Sequence, residues 1–219
     1  MSRLLVFDCD GTLVDSQHLI VEAMNRAFVA HAVAPPEPAA VRQIVGLSLV
    51  EAIAMLLPGV EPDRVEAVAE SYKASFIDLR EQEGELEPLF PGIRELLVAL
   101  EDAGHLLAVA TGKSRRGVEV VLGAHGLLDH FVSVQTADGH PSKPHPAMLE
   151  TAMAETGIGP NETILIGDTT FDMLMARAAG VCGLGVAWGY HPPAALIEAG
   201  AAQVVEEAAA IATFARRAA

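Results

Sequence analysis

Short apolar runs of strand length recur along this chain, and each ends abruptly in a polar cluster. No other feature restricts the possible folds as much. Residues 3–7 (RLLVF) run into Asp8, Cys9, Asp10, Gly11 and Thr12. Residues 106–110 run into Thr111, Gly112 and Lys113, and residues 163–166 into Gly167, Asp168 and Thr169. Residues 131–134 precede a loop holding Ser142, Lys143 and Pro144, while 181–186 and Gln203–Val205 are two further short candidates. The runs are continuous instead of alternating, as strands buried on both faces of a parallel sheet should be. Helical periodicity fills the intervals. Residues 92–103 put Ile93, Leu96, Leu97 and Leu100 on one stripe ahead of Gly104, and 114–124 open on a capping serine. Residues 146–156 and Thr170–Ala179 follow, the second closed by Gly180. Strand–helix alternation of this kind implies right-handed crossovers and a three-layer α/β fold, a doubly wound, Rossmann-like parallel sheet.

One stretch breaks the rhythm. Between Ser16 and Glu85 the periodicity is helical throughout, over 17–31, Pro38–Ile44, 48–57 and 62–81, with proline- and glycine-bearing breaks between. It reads as a small helical domain, residues 16–85, inserted into an α/β core made of 1–15 and 86–219. Residues 13–16 are the expected outgoing hinge, and the polar stretch 81–85 (EQEGE) the return hinge.

Ligands of open α/β sheets bind outside the carboxyl ends of the strands, near the point where strand order reverses. Sequence position alone therefore sends Asp8, Asp10, Thr111, Lys143, Asp168 and Asp172 to one rim. Asp8 and Asp10 stand two apart on an extended segment, roughly 6–7 Å along the chain with side chains on the same side. Gly11 lets the chain turn behind them. Carboxylates this close repel unless a cation or a shared proton intervenes. With Asp168 and Asp172 added, the oxygen-rich set selects a hard cation, Mg²⁺, which takes a few carboxylates, several waters and a substrate phosphate. The bland alternative, Asp168 merely capping the helix after Thr169, leaves Asp8 and Asp10 unexplained.

The same cation answers a charge problem. Fourteen Lys and Arg against 29 Asp and Glu give a net charge of −15, which repels nucleic acid and anionic membranes. A phosphate ligand needs a local exception, and Lys143, Mg²⁺ and backbone N–H groups beyond Thr111 supply one. Pro141, Pro144 and Pro146 stiffen the Lys143 loop. With phosphate in place, one carboxylate can attack phosphorus while the other protonates the leaving alkoxide and later activates water.

Asp8-Cys-Asp-Gly-Thr-Leu-Val-Asp-Ser16, Thr111, Lys143 in Ser-Lys-Pro, and Gly167-Asp-Thr-Thr-Phe-Asp172 resemble the four motifs of the haloacid dehalogenase-like (HAD) hydrolases, in order, across essentially the whole chain. The resemblance implies that Asp8 is the nucleophile and Asp10 the general acid/base. It implies that Thr111 and Gly112 hold the phosphate and that Lys143 steadies both nucleophile and phosphate. It makes Asp168 the direct metal ligand beside the Asp8 carboxylate and the Asp10 main-chain carbonyl, with Asp172 acting through water or behind that shell. The helical insert resembles the family's small cap over the substrate. The dehalogenase branch lacks an acid two residues after its nucleophile, so Asp10 favours phosphate chemistry. The loop Val45-Gly46-Leu47-Ser48-Leu49 has no basic neighbour, unlike the sugar-phosphate mutases, and this favours a phosphatase similar to the phosphoglycolate phosphatases. A mutase, and a non-catalytic binding module of the same fold, are the rival readings.

Other residues read more plainly. Cys9 should point into the core, and neither Cys9 nor Cys182 has a CxxC partner. Lys113 reads either as a group that attracts an anionic substrate, like Arg115 and Arg116 beside it, or as a solvated helix start. His18 reads as a surface histidine or a neighbour of the leaving group; His140 and His145 lack zinc-site spacing. Trp188 and Tyr190 read as packing. With no basic leader and no apolar run of about 18 residues, the expectation is a cytoplasmic monomer or homodimer acting on a small phosphorylated metabolite, without nucleic acid or membrane partners.

Overall fold

The structure is a computed structural model that describes residues 2–83 and 87–217. A six-stranded, all-parallel sheet runs through it: β1 (Leu4–Phe7), β2 (Leu106–Thr111), β3 (Ser133–Thr136), β4 (Thr163–Gly167), β5 (Cys182–Val186) and β6 (Gln203–Val205). The strand order is β3-β2-β1-β4-β5-β6, so the chain winds outward from β1 in both directions and the order reverses between β1 and β4. Alternation along β1 explains why its run is wholly apolar. Leu5 and Phe7 join one layer with helices α5 (Ile93–Asp102), α6 (Arg115–Ala124) and α10 (Ala208–Arg217). Leu4 and Val6 join the opposite layer with α7 (Ala147–Thr156) and α8 (Thr170–Ala179). A short α9 (Pro193–Ala199) packs Leu196 against Met173 beside β5.

Between β1 and β2 lie α1 (Gln17–Ala30), α2 (Pro38–Ile44), α3 (Leu49–Leu56) and α4 (Pro62–Glu83). They bury a hydrophobic cluster of their own, including Met24, Phe28, Ile53 and Val68. The connections to this helical region run side by side. Val14 forms an antiparallel bridge with Leu89, and the Asp15 and Phe90 amides donate to the Pro88 and Leu13 carbonyls.

Two expectations are corrected here. The third strand lies at Ser133–Thr136, shifted two residues along the chain from the apolar run at 131–134, which it overlaps only at Ser133 and Val134. Phe131 is core packing that precedes it, and polar Gln135 is buried because its amide donates to Ser133 and Glu155 and its carbonyl accepts from His140. The return hinge expected at 81–85 is helical through Glu83, and Gly84 and Glu85 lie outside the described residues. No helix among the described residues is long and apolar enough to cross a membrane.

Candidate active site

The site forms at the reversal point of the sheet, where β1 and β4 end side by side. The Asp8 amide donates to the Ile166 carbonyl at 2.9 Å, which puts Asp8 next to the residues leading into Asp168. Continued alternation turns Phe7 and Cys9 into the core and Asp8 and Asp10 to the opposite side, so the expected packing role of Cys9 holds. At Gly11 the backbone has φ +87°, and a Cβ there would collide with the Asp168 carboxylate and the Tyr190 ring.

Asp8, Asp168 and Asp172 bring carboxylate oxygens within 4.8 Å of one another, all three side chains buried. Lys143 reaches the group from the loop after β3, its Nζ 2.6 Å from Asp172 Oδ1 and 2.9 Å from Asp8 Oδ1. Burial would drive the lysine towards neutrality, but the two carboxylates outweigh it and hold the ammonium well above its ordinary range.

The acids differ in how they are held. Asp168 Oδ1 accepts from Thr12 Oγ1 and Oδ2 from the Tyr190 amide, both at 2.8 Å. Asp172 is occupied on both oxygens, by Lys143 on Oδ1 and by the Thr169 amide and hydroxyl on Oδ2. Thr169, not Asp168, caps α8, and Asp172 completes a reciprocal capping box with it. Asp8 is 1% exposed, and neither of its oxygens accepts an aligned hydrogen bond from the described residues. Desolvation, opposed by Lys143 and reinforced by Asp172, pushes its carboxyl up to about 6. Burial, Asp8 and Asp172 push Asp168 up as well.

This arrangement fits a divalent cation. With all three ionised, three carboxylates against one ammonium leave two negative charges in a buried pocket, and beyond its ion pair with Lys143 the Asp8 carboxylate lacks the hydrogen bonds that buried carboxylates normally have. An all-oxygen donor set matches Mg²⁺.

Asp10 stands apart from that cluster. Its Oδ1 accepts from Ser16 Oγ at 2.5 Å and from Lys113 Nζ at 2.8 Å. Lys113 also reaches Glu87 Oε2 at 2.9 Å, and Glu87 pairs in addition with Arg80 of α4. Neither reading of Lys113 from the sequence anticipates this: its ammonium is buried between two acids, which hold it well above its ordinary range against the cost of burial. Thr111 is buried at the end of β2. Gly112 lies flush against the helical region, where a Cβ would collide with the Gly46 and Leu47 carbonyl oxygens. The Ser48 amide donates to Ser142 Oγ at 2.8 Å, and His191 Nε2 faces the Gln43 carbonyl at 3.3 Å. The helical region is thus seated on the core rim. Trp188 packs as expected, donating from Nε1 to the Thr12 carbonyl; the Tyr190 amide belongs to the site itself. Thr12 and Ser16, which stand in the first motif without an assigned role, also shape the site, as do Glu87 and Arg80, which no motif marks.

The haloacid dehalogenase-like hydrolase family model matches residues 5–186, so the chain belongs to that family. It is 41% identical over 196 residues to the probable phosphatase IndB of Dickeya dadantii, covering 87% of this chain and 84% of that protein. It is 33% identical over 195 residues to a phosphoglycolate phosphatase of Vibrio vulnificus, covering 86% and 85%. Among solved structures, a hydrolase from Pseudomonas syringae superposes with a TM-score of 0.86 at 26% identity over 97% of both chains. The chain is therefore an enzyme, a hydrolase of the phosphatase kind within this family.

Proposed function

We propose that the protein is a Mg²⁺-dependent phosphatase that hydrolyses a small phosphorylated metabolite through an aspartyl-phosphate on Asp8, as a phosphoglycolate phosphatase-like enzyme. The Asp8 carboxylate carries this reading: buried, free of aligned hydrogen bonds, paired with Lys143 and set among two more acids. A carboxylate held by one ion pair and no aligned hydrogen bond has an oxygen for attack and one for a cation.

In this mechanism an Asp8 oxygen attacks phosphorus and the bond from phosphorus to the leaving oxygen breaks. Asp10 gives that oxygen its proton. Asp10, now ionised, takes a proton from water, which attacks the phosphoryl group and frees Asp8 and inorganic phosphate. Thr111 and Gly112 at the end of β2 orient the phosphate, and Lys143 balances the charge on its oxygens. The Asp8 and Asp168 carboxylates and the Asp10 main-chain carbonyl would hold Mg²⁺, with Asp172 behind them. When bound, the cation neutralises charge on the transferring group. Residues 16–85 serve as a cap that excludes water from the rim.

Phosphate release from a panel that includes phosphoglycolate, pyrophosphate and hexose phosphates tests the reading. Release should need Mg²⁺, stop with EDTA and vanish in Asp8→Asn. Transfer of phosphate between positions of a sugar, without release, would make the enzyme a mutase.

A further inference from the structure

The buried ion-pair network around Lys113 lies outside the three-acid cluster, and the phosphatase reading gives it no task. Its geometry is specific. Among the described residues, Ser16 Oγ and Lys113 Nζ both donate to Asp10 Oδ1, which leaves the other oxygen for exchange with substrate. Lys113 is in turn gripped by the helical region. Phe76 of α4 lays its ring 5.1 Å from Lys113 Nζ, and Arg80, one turn further along α4, pairs with the Glu87 carboxylate that Lys113 also binds. Glu87 is only 2% exposed, and its carbonyl faces His125 Nε2 at 2.7 Å, which anchors it to the end of α6.

With Asp10 ionised, two acids and two bases make the network neutral; when Asp10 carries the proton it donates, Glu87 still pairs with Lys113, so the ammonium keeps a partner in both states. Lys113 and Asp10 lie in the loops that follow adjacent strands of the core, β2 and β1, whereas Phe76 and Arg80 come from α4. The orientation of the acid and the seating of the helical region are therefore parts of one structure.

Resting on the phosphatase reading above, we propose that Lys113 is a positioning residue. With Ser16 it clamps Asp10 Oδ1 so that Oδ2 faces the leaving oxygen, and Phe76, Glu87 and Arg80 bind this clamp to α4. The acid is then in place only when the helical region is seated.

The test is the leaving-group dependence of kcat/KM, which reports steps up to loss of the leaving group and not the later hydrolysis. An alkoxide needs a proton to depart, but 4-nitrophenolate leaves as a stable anion. In Lys113→Met, kcat/KM for an alkyl phosphate (phosphoglycolate or glycerol 2-phosphate) should fall about 10²-fold, and that for 4-nitrophenyl phosphate only about fivefold or less. Asp10→Asn should show the same split, larger. Equal losses on both esters would overturn the proposal, as would a raised KM with kcat retained, which marks Lys113 as a substrate-binding group. Because the single variant leaves Asp10 and Glu87 facing each other, Lys113→Met combined with Glu87→Gln removes one charge of each sign and must show the split too. Wild-type protein that released phosphate from neither ester would overturn the phosphatase reading instead.

Discussion

Lys143 Nζ lies 2.9 Å from Asp8 Oδ1, with the lysine side chain 0% exposed and the aspartate 1%. Such a pair costs desolvation on both sides, and its attraction offsets that cost only while both charges are present. The same lysine also satisfies Asp172. Replacing it leaves three buried carboxylates without a cation from the protein. Lys143→Ala is expected to lower stability by about 3–5 kcal/mol in urea unfolding without metal. Added Mg²⁺ should recover part of the loss. No change in stability would mean that the pair contributes nothing.

Asp8→Asn should abolish turnover, by about 10³-fold or more, and yet stabilise the metal-free protein. The sign follows from the raised carboxyl. Because Asp8 holds its proton up to about 6 when folded and to 3.8 when unfolded, the folded state binds more protons between those values, and its stability falls as pH rises through them. At neutral pH the ionised group therefore costs about 3 kcal/mol, which asparagine avoids. The stability difference between variant and wild type should shrink to nothing as pH falls towards 4. A difference independent of pH would contradict this account.

Metal should act on stability as well as on rate. Mg²⁺ at about 100 times its dissociation constant adds about 2.7 kcal/mol to a protein that binds it only when folded. Thermal unfolding of wild type with and without Mg²⁺ measures this, and binding should release protons from the raised Asp8 and Asp168 carboxyls. Asp168→Ala should lose both effects while keeping the fold.

Gly112→Ala probes the contact between core and helical region. Its Cβ would meet the Gly46 and Leu47 carbonyl oxygens, backbone atoms that cannot swing aside. We expect the helical region to lift, the Ser48 amide to exchange faster with deuterium, and kcat/KM to fall by roughly 10- to 100-fold. Unchanged exchange at Ser48 would show that the loop yields without moving off the rim.

The six strands and the helices between them were legible because each apolar run carries its own stop signal, and both are local. Asp8, Asp168 and Thr111 were legible for the same reason: a residue at or just past the carboxyl end of a parallel strand is placed by the strand itself, whereas Lys143, well beyond the end of β3, was legible from its Ser-Lys-Pro motif. The exceptions show where locality ends. Residues 131–134 look like a strand and Gln135 does not, yet Gln135 is buried in β3 because Ser133, Glu155 and His140 satisfy its amide. The helical periodicity of α4 runs on to Glu83, past the polar composition that suggested a hinge.

The order of apolar runs and polar clusters along the chain determined the α/β architecture, the edge of the sheet that carries the chemistry, and most of the side chains there. Partnership was decided only by folding. That Lys143 reaches both Asp172 and Asp8, that Asp8 accepts no aligned hydrogen bond among the described residues, and that Lys113 is caught between Asp10 and Glu87 beneath α4 depend on segments far apart in sequence. Buried charges and carboxylates take whichever partners the tertiary packing brings within about 3 Å, and no local pattern records that choice.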